Sequence, residues 1–119
     1  MKKLFLVIGM FSLFFLIACT KQTNPQTYDC TGTSPTYTTD IKPIFDANCA
    51  ASGCHSNSSR SSGFDLSSYA GSKAASSSDK LLGSIQHLSG YTSMPQNAAK
   101  LSDAQIKLIS CWVQNGAPQ

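Results

Sequence analysis

Cys49, Cys54 and His55 are the residues of this chain with the most chemical potential. They stand in the stretch NCAASGCHSN, residues 48 to 57, with four residues between the thiols and an imidazole directly after the second. Two thiols beside an imidazole support a local disulfide, a thiolate–imidazole metal site, or two thioether bonds to a cofactor. Which of these applies depends on the compartment, on the other cysteines and on the elements that carry the stretch.

The compartment is written at the N-terminus. Lys2 and Lys3 precede an apolar run from Leu4 to Ile17, followed by Ala18 and Cys19. A run of this length suits a signal-peptide core and is short for a bilayer span. Leu16-Ile17-Ala18-Cys19 resembles the lipobox of bacterial lipoproteins. That resemblance implies cleavage before Cys19, lipidation of Cys19, and more than the two membrane signals that stable anchoring requires. The expected organisation is a lipoprotein signal peptide over 1–18, a lipidated cysteine and flexible tether over 19–36, and one domain over 37–119. The expected location is a bacterial membrane surface, facing the periplasm or the cell exterior.

Losing Lys2 and Lys3 takes the formal net charge from +3 to about +1, and only 13% of residues are charged. A nucleic-acid partner therefore has no electrostatic support.

Five cysteines are present: Cys19, Cys30, Cys49, Cys54 and Cys111. With Cys19 lipidated, four remain in an oxidising space, where free thiols are uncommon. The economical partition reserves Cys49 and Cys54 for a cofactor and pairs Cys30 with Cys111. That bridge closes a loop of roughly 80 residues, worth about 4.5 kcal/mol in the chain-entropy picture. Two unpaired thiols at these positions are the alternative.

The elements read as helices and loops, with no convincing strand alternation. Thr20 to Pro35 has a tether's composition. A first helix is expected from Asp40 as N-cap, with Pro43 in the first turn and Ile41, Ile44, Phe45 and Cys49 on one face. SNSSRSSG is a loop, and Phe64, Leu66 and Tyr69 fall in a short irregular or helical piece. A further helix is expected from Asp79, with Leu81, Leu82 and Ile85 facing inward. The last helix has a Ser102–Gln105 capping box, a Leu101–Ile106 staple, and a stripe of Ile106, Ile109, Trp112 and Val113. Gly116 fits the position after its end. The fold class is all-α with long connecting loops.

Within this frame the Cys-His adjacency at Cys54-His55 suits a covalently attached haem, because the thioether carries the ring under the iron. Ala50 to Gly53 form a small, flexible bulge between the two thioethers. Met94, the only methionine left after cleavage at Cys19, lies in a Pro-bounded loop suited to a second axial ligand. His87 is the alternative second ligand, and a core-packing role is the alternative for Met94. A zinc site using Cys30, Cys49, Cys54 and Cys111, or one histidine, is a further option, as is a local Cys49–Cys54 disulfide.

The segments DIKPIFDANCAASGCH, FDLSSYAG and SMPQNAAKLSDAQIKLISCWVQNGAP together resemble small class I cytochromes c, in particular cytochrome c-like domains of bacterial lipoproteins. The resemblance spans about residues 37 to 118. It implies N- and C-terminal helices packed around one covalent haem c, thioethers at Cys49 and Cys54, proximal iron ligation by His55 and distal ligation by Met94. It implies electron transfer, because an iron with both axial positions filled has no open site for substrate, and His/Met ligation raises the potential. The expected protein is a lipid-anchored electron carrier and not an enzyme, meeting redox partner proteins transiently. A haem-free, disulfide-stapled interaction module of an envelope lipoprotein is the alternative. A peroxidase-like site lacks acid–base residues, since the chain contains no glutamate and His87 is the only spare histidine.

Overall fold

The computed structural model describes residues 21–119; the signal peptide expected over 1–18 and the lipidation expected at Cys19 lie outside the described residues. The described residues form four α-helices: α1 (Lys42–Asn48), α2 (Tyr69–Ser76), α3 (Asp79–Ile85) and α4 (Asp103–Gln114). A π-helical turn, Tyr37–Ile41, leads into α1, and a 3-10 turn, Ser61–Gly63, lies between α1 and α2. No strand occurs among the described residues, and no described helix is long and apolar enough to cross a membrane.

Helix α4 follows the sequence most closely. Ser102 Oγ accepts from the Gln105 N–H, and the Gln105 side chain accepts from the Ser102 N–H, so both members of the capping box are in place. Leu101 and Ile106 are both buried, as the staple requires. Ile106, Ile109 and Trp112 are fully buried, while Val113 is half-buried at the margin of the stripe. Gly116, at φ +83°, ends the helix in the left-handed conformation that glycine adopts without steric cost.

The start of the first helix differs from expectation. Asp40 does not cap α1. Its carboxylate accepts from the Thr36 N–H at 2.8 Å, and a wider turn runs from Tyr37 to Ile41 before α1 begins. Pro43 has no N–H to donate back to residue 39, so the first turn is not closed by the ordinary four-residue bond there. The face is nonetheless as expected: Ile41, Ile44, Phe45 and Cys49 are all buried.

The core is organised on Trp112. Phe45 meets its ring edge-on at 6.3 Å, Tyr37 lies 6.2 Å away, and Tyr69 packs on Tyr37 at 5.4 Å. The indole N–H donates to Pro118 O at 2.8 Å, Tyr37 N–H donates to the same carbonyl at 3.0 Å, and Tyr69 OH donates to Ala117 O at 3.0 Å. The C-terminal tail is thereby tied across the aromatic cluster. Removing a fully buried Trp side chain costs about 3–5 kcal/mol in such a setting.

Of Phe64, Leu66 and Tyr69, only Tyr69 lies in helix α2; Phe64 and Leu66 precede it in irregular backbone. Ser68 caps it, and the Asp65 carboxylate accepts from Ser67 and Ser68 to shape the turn before it. Gly71 lies against this turn so closely that an added Cβ would sit 2.0 Å from Asp65 O. Helix α3 starts at Asp79 as expected, capped by Ser78, with Ile85 buried and Leu81 and Leu82 half-buried.

Cys30 and Cys111 form the expected disulfide, with Cα atoms 5.5 Å apart and a sequence separation of 81. The later part of the expected tether is docked. Gln26 exchanges backbone-to-side-chain bonds with Gln86 at 2.7 and 3.4 Å, Tyr28 packs on the core, and Asn115 Nδ2 donates to Thr33 O at 3.2 Å. The docking has no periodic signature because it is made by isolated contacts along an extended segment.

Reduction of the bridge, or Cys30→Ser, should lower the unfolding free energy by about 2–4 kcal/mol in a urea titration. Non-reducing mass mapping should show the Cys30–Cys111 peptide pair; finding both thiols free would refute the pairing.

Candidate functional site

Cys49 ends the buried stripe of α1 and caps the helix, its N–H donating to Phe45 O at 2.8 Å. Ala50 N–H reaches the same carbonyl at 2.8 Å, after which the chain turns away. The four-residue insertion forms a closed bulge. Cys54 N–H donates to Ala51 O at 3.0 Å, Gly53 N–H donates to Ser59 Oγ at 2.9 Å, and His55 N–H returns to Cys49 O at 3.0 Å. Gly53 at φ +82° allows the turn. The last bond matters most: it brings the two ends of the motif together, with the extra residues looped outward. Ser61 N–H on Cys54 O and Leu66 N–H on His55 O then fix the second half at 3.0 and 2.7 Å.

These residues border a cavity of about 830 Å³, within the range of small-molecule and cofactor sites. Cys49, Cys54, His55, Phe64 and Leu66 line it from the α1 side, and Leu81, Ser84, Ile85, Tyr91, Met94 and Pro95 line it from α3 and the loop that follows. All four residues singled out by the sequence, Cys49, Cys54, His55 and Met94, thus share one cavity. Cys49 is buried and Cys54 exposed, and both are free thiols. Burial pushes the Cys49 thiol up to about 11, and the neighbouring Cys54 adds to the shift. His55 Nδ1 is buried without a hydrogen-bond partner, and the ring packs near Phe64 at 6.4 Å. An imidazole so placed has only its other nitrogen left for a polar partner.

His87, the alternative second ligand, does not line this cavity. It borders a separate shallow depression with Lys21, Gln22, Leu88 and Ser89, and its Nε2 lies 3.0 Å from Met94 O. Sequence reasoning missed this role, and it missed Tyr91 and Asp79, whose side chains bond to each other at 2.8 Å beside the cavity. Asp79 was legible only as the start of a helix and Tyr91 stands in no periodic or motif context, so no local signal joined the two at the site.

The expectation of one covalent haem c is corrected here. Among the described residues, no group of three or more His, Cys, Asp or Glu side chains is placed to hold a metal ion, whereas protein-held metal sites converge three or four such donors. Cys30 and Cys111 are bound to each other, so the four-thiol zinc arrangement is not formed either. The local Cys49–Cys54 disulfide is likewise not formed. What the structure defines is a helical domain with a thiol-, imidazole- and thioether-bordered cavity. Comparison of the chain with protein-family models, curated proteins and solved structures finds no match.

The difference between the two thiols is directly measurable. At pH 8 iodoacetamide should label Cys54 first. The Cys49 thiolate should be about a hundredfold scarcer than that of an ordinary thiol, and its labelling rate should climb until the pH passes its pKa. Because folding raises that pKa, the stability that neutral Cys49 confers is complete below pH 9 and is lost as the pH rises to about 11. Equal labelling of both thiols at pH 8 in the folded protein would contradict the burial of Cys49.

Proposed function

We propose that the protein is an electron carrier of the bacterial envelope, anchored by lipid at Cys19, with a redox-active group seated in the cavity between the Cys49–His55 loop and α3. The observation that carries this proposal is the convergence on one cavity of Cys49, Cys54 and His55 from one segment and Met94 from another, about 40 residues later in the chain. On this view Cys49, Cys54 and the imidazole of His55 face the group from the α1 side, and the thioether of Met94 faces it from the loop after α3. Phe64, Leu66, Leu81 and Ile85 supply apolar surroundings that limit the rearrangement of solvent when the group gains or loses charge.

The order of elements is consistent with the plan of the small class I cytochromes c. Contact between α1 and α4 through Phe45 and Trp112 supports that plan, as does a Met-Pro loop ahead of the capped last helix. The low charge favours brief encounters with redox partner proteins over a permanent interface. With no glutamate in the chain, acid–base catalysis has few candidates, and a carrier role fits better than that of an enzyme.

The full-length protein, purified from the envelope of expressing cells, should show an absorbance that changes reversibly on reduction. His55→Ala and Met94→Ala should each change that absorbance, because both side chains border the cavity. Recovery of the wild type with no reversible signal would overturn the proposal. It would leave a disulfide-stapled interaction module of an envelope lipoprotein in its place.

A further inference from the structure

We propose that His87 is a positioning residue that holds Met94 on the cavity wall, an inference that deepens the electron-carrier proposal and takes the importance of Met94 from it. Helix α3 ends in a paired cap, in which Leu88 N–H donates to Gly83 O at 3.0 Å and His87 N–H to Ser84 O at 3.1 Å. This cap places His87 at φ +56°, in the left-handed region that favours glycine. Helix α4 ends with the same two bonds, Ala117 N–H to Trp112 O at 2.8 Å and Gly116 N–H to Val113 O at 3.1 Å. There the left-handed position next to the helix is glycine, Gly116 at φ +83°. At the end of α3 the corresponding position is an imidazole, one of several non-glycine residues of the chain in the left-handed region, with Arg60, Ser62, Asn97 and Ala117.

Among the described residues that imidazole has one polar contact, Nε2 to Met94 O at 3.0 Å. A carbonyl only accepts, so the ring carries its hydrogen on Nε2 and donates it. Met94 N–H donates at 3.1 Å to Ser84 O, the carbonyl that also receives the His87 N–H. Both backbone groups of Met94 are thereby fastened to the last turn of α3, and the intervening loop is closed. Tyr91 lies over Gly83 so closely that an added Cβ would sit 2.5 Å from its ring, and its hydroxyl donates to Asp79 at 2.8 Å. Tyr91 holds the middle of the loop and His87 its far end. His87 itself borders the depression beside Leu88 and not the cavity, so it acts through Met94.

Methionine oxidation reads this role directly. The protein is exposed to dilute hydrogen peroxide, and sulfoxide at Met94 is followed by mass spectrometry. His87→Gly relieves the left-handed position, so it should melt at or above the wild-type temperature. It should nonetheless oxidise at Met94 about fivefold faster, the factor that one net hydrogen bond sets in the population of a displaced loop. His87→Gln, which retains a side-chain N–H, should stay within about twofold of the wild type. If His87→Gly does not fold, His87→Asn serves instead, since asparagine tolerates the left-handed region and is too short to reach Met94 O. Wild-type oxidation rates in the glycine or asparagine variant would overturn the proposal, as would a glutamine variant that oxidises as fast as either. The readout needs no bound group. A protein lacking any redox group would sink the electron-carrier proposal while the sulfoxide rates still decide the role of His87.

Discussion

The buried indole of Trp112 is the contact on which the remaining structure is arranged. It is fully enclosed, it receives Phe45 from α1 edge-on and Tyr37 from the turn before α1, and its N–H fastens the C-terminal tail at Pro118. In a domain of this size few side chains are large enough to touch several elements at once, so one such ring has a disproportionate influence on the packing. Because Phe45 is fixed against it, the direction of α1 is fixed. Cys49, one turn further on, then points its part of the motif at the cavity and not at solvent.

A small helical domain with a cavity of about 830 Å³ has given up part of its core. The Cys30–Cys111 bridge offsets this by tying the extended N-terminal segment to α4 across a sequence separation of 81. Polar contacts add to it at the same margin, through Gln26 with Gln86 and Asn115 with Thr33. The aromatic cluster and the disulfide lie away from the cavity, which is bordered by helix ends and by loops held by backbone hydrogen bonds. That division suits a domain whose binding site is built on connections and whose elements serve as the scaffold.

The two sides of the cavity are built differently. On the α1 side the backbone closes on itself through His55 N–H and Cys49 O, so two residues distant by the length of the bulge act as neighbours. On the α3 side a helix end does the work, collecting the Met94 N–H at the Ser84 carbonyl and the Met94 carbonyl at His87. The extra residues Ala50 to Gly53 are accommodated because they add length outside the closing bond. Spacing along the chain was for this reason a poor guide to separation in space.

Features set by neighbours in sequence were legible from the residues alone. The cap and stripe of α4, the left-handed glycine after it, the buried face of α1 and the start of α3 each depend on side chains within a few positions of one another, and the pairing of Cys30 with Cys111 followed from counting thiols. Asp40 misled because its carboxylate caps the turn from behind, by reaching the Thr36 N–H, and not at the head of α1. The haem expectation came from the Cys-His motif and the family resemblance; which side chains share a site is a matter of space, and the described residues converge on no metal-holding group. Only the tertiary structure could place Cys49, Cys54, His55 and Met94 on one cavity, move His87 outside it and dock the segment from Gln26 onward. Local hydrogen bonds and side-chain periodicity act over one or two turns of chain, and the sequence by itself determines those. The cavity depends on where α1 and α3 end relative to each other, which is decided by packing in the common core that holds Phe45, Ile85 and Trp112.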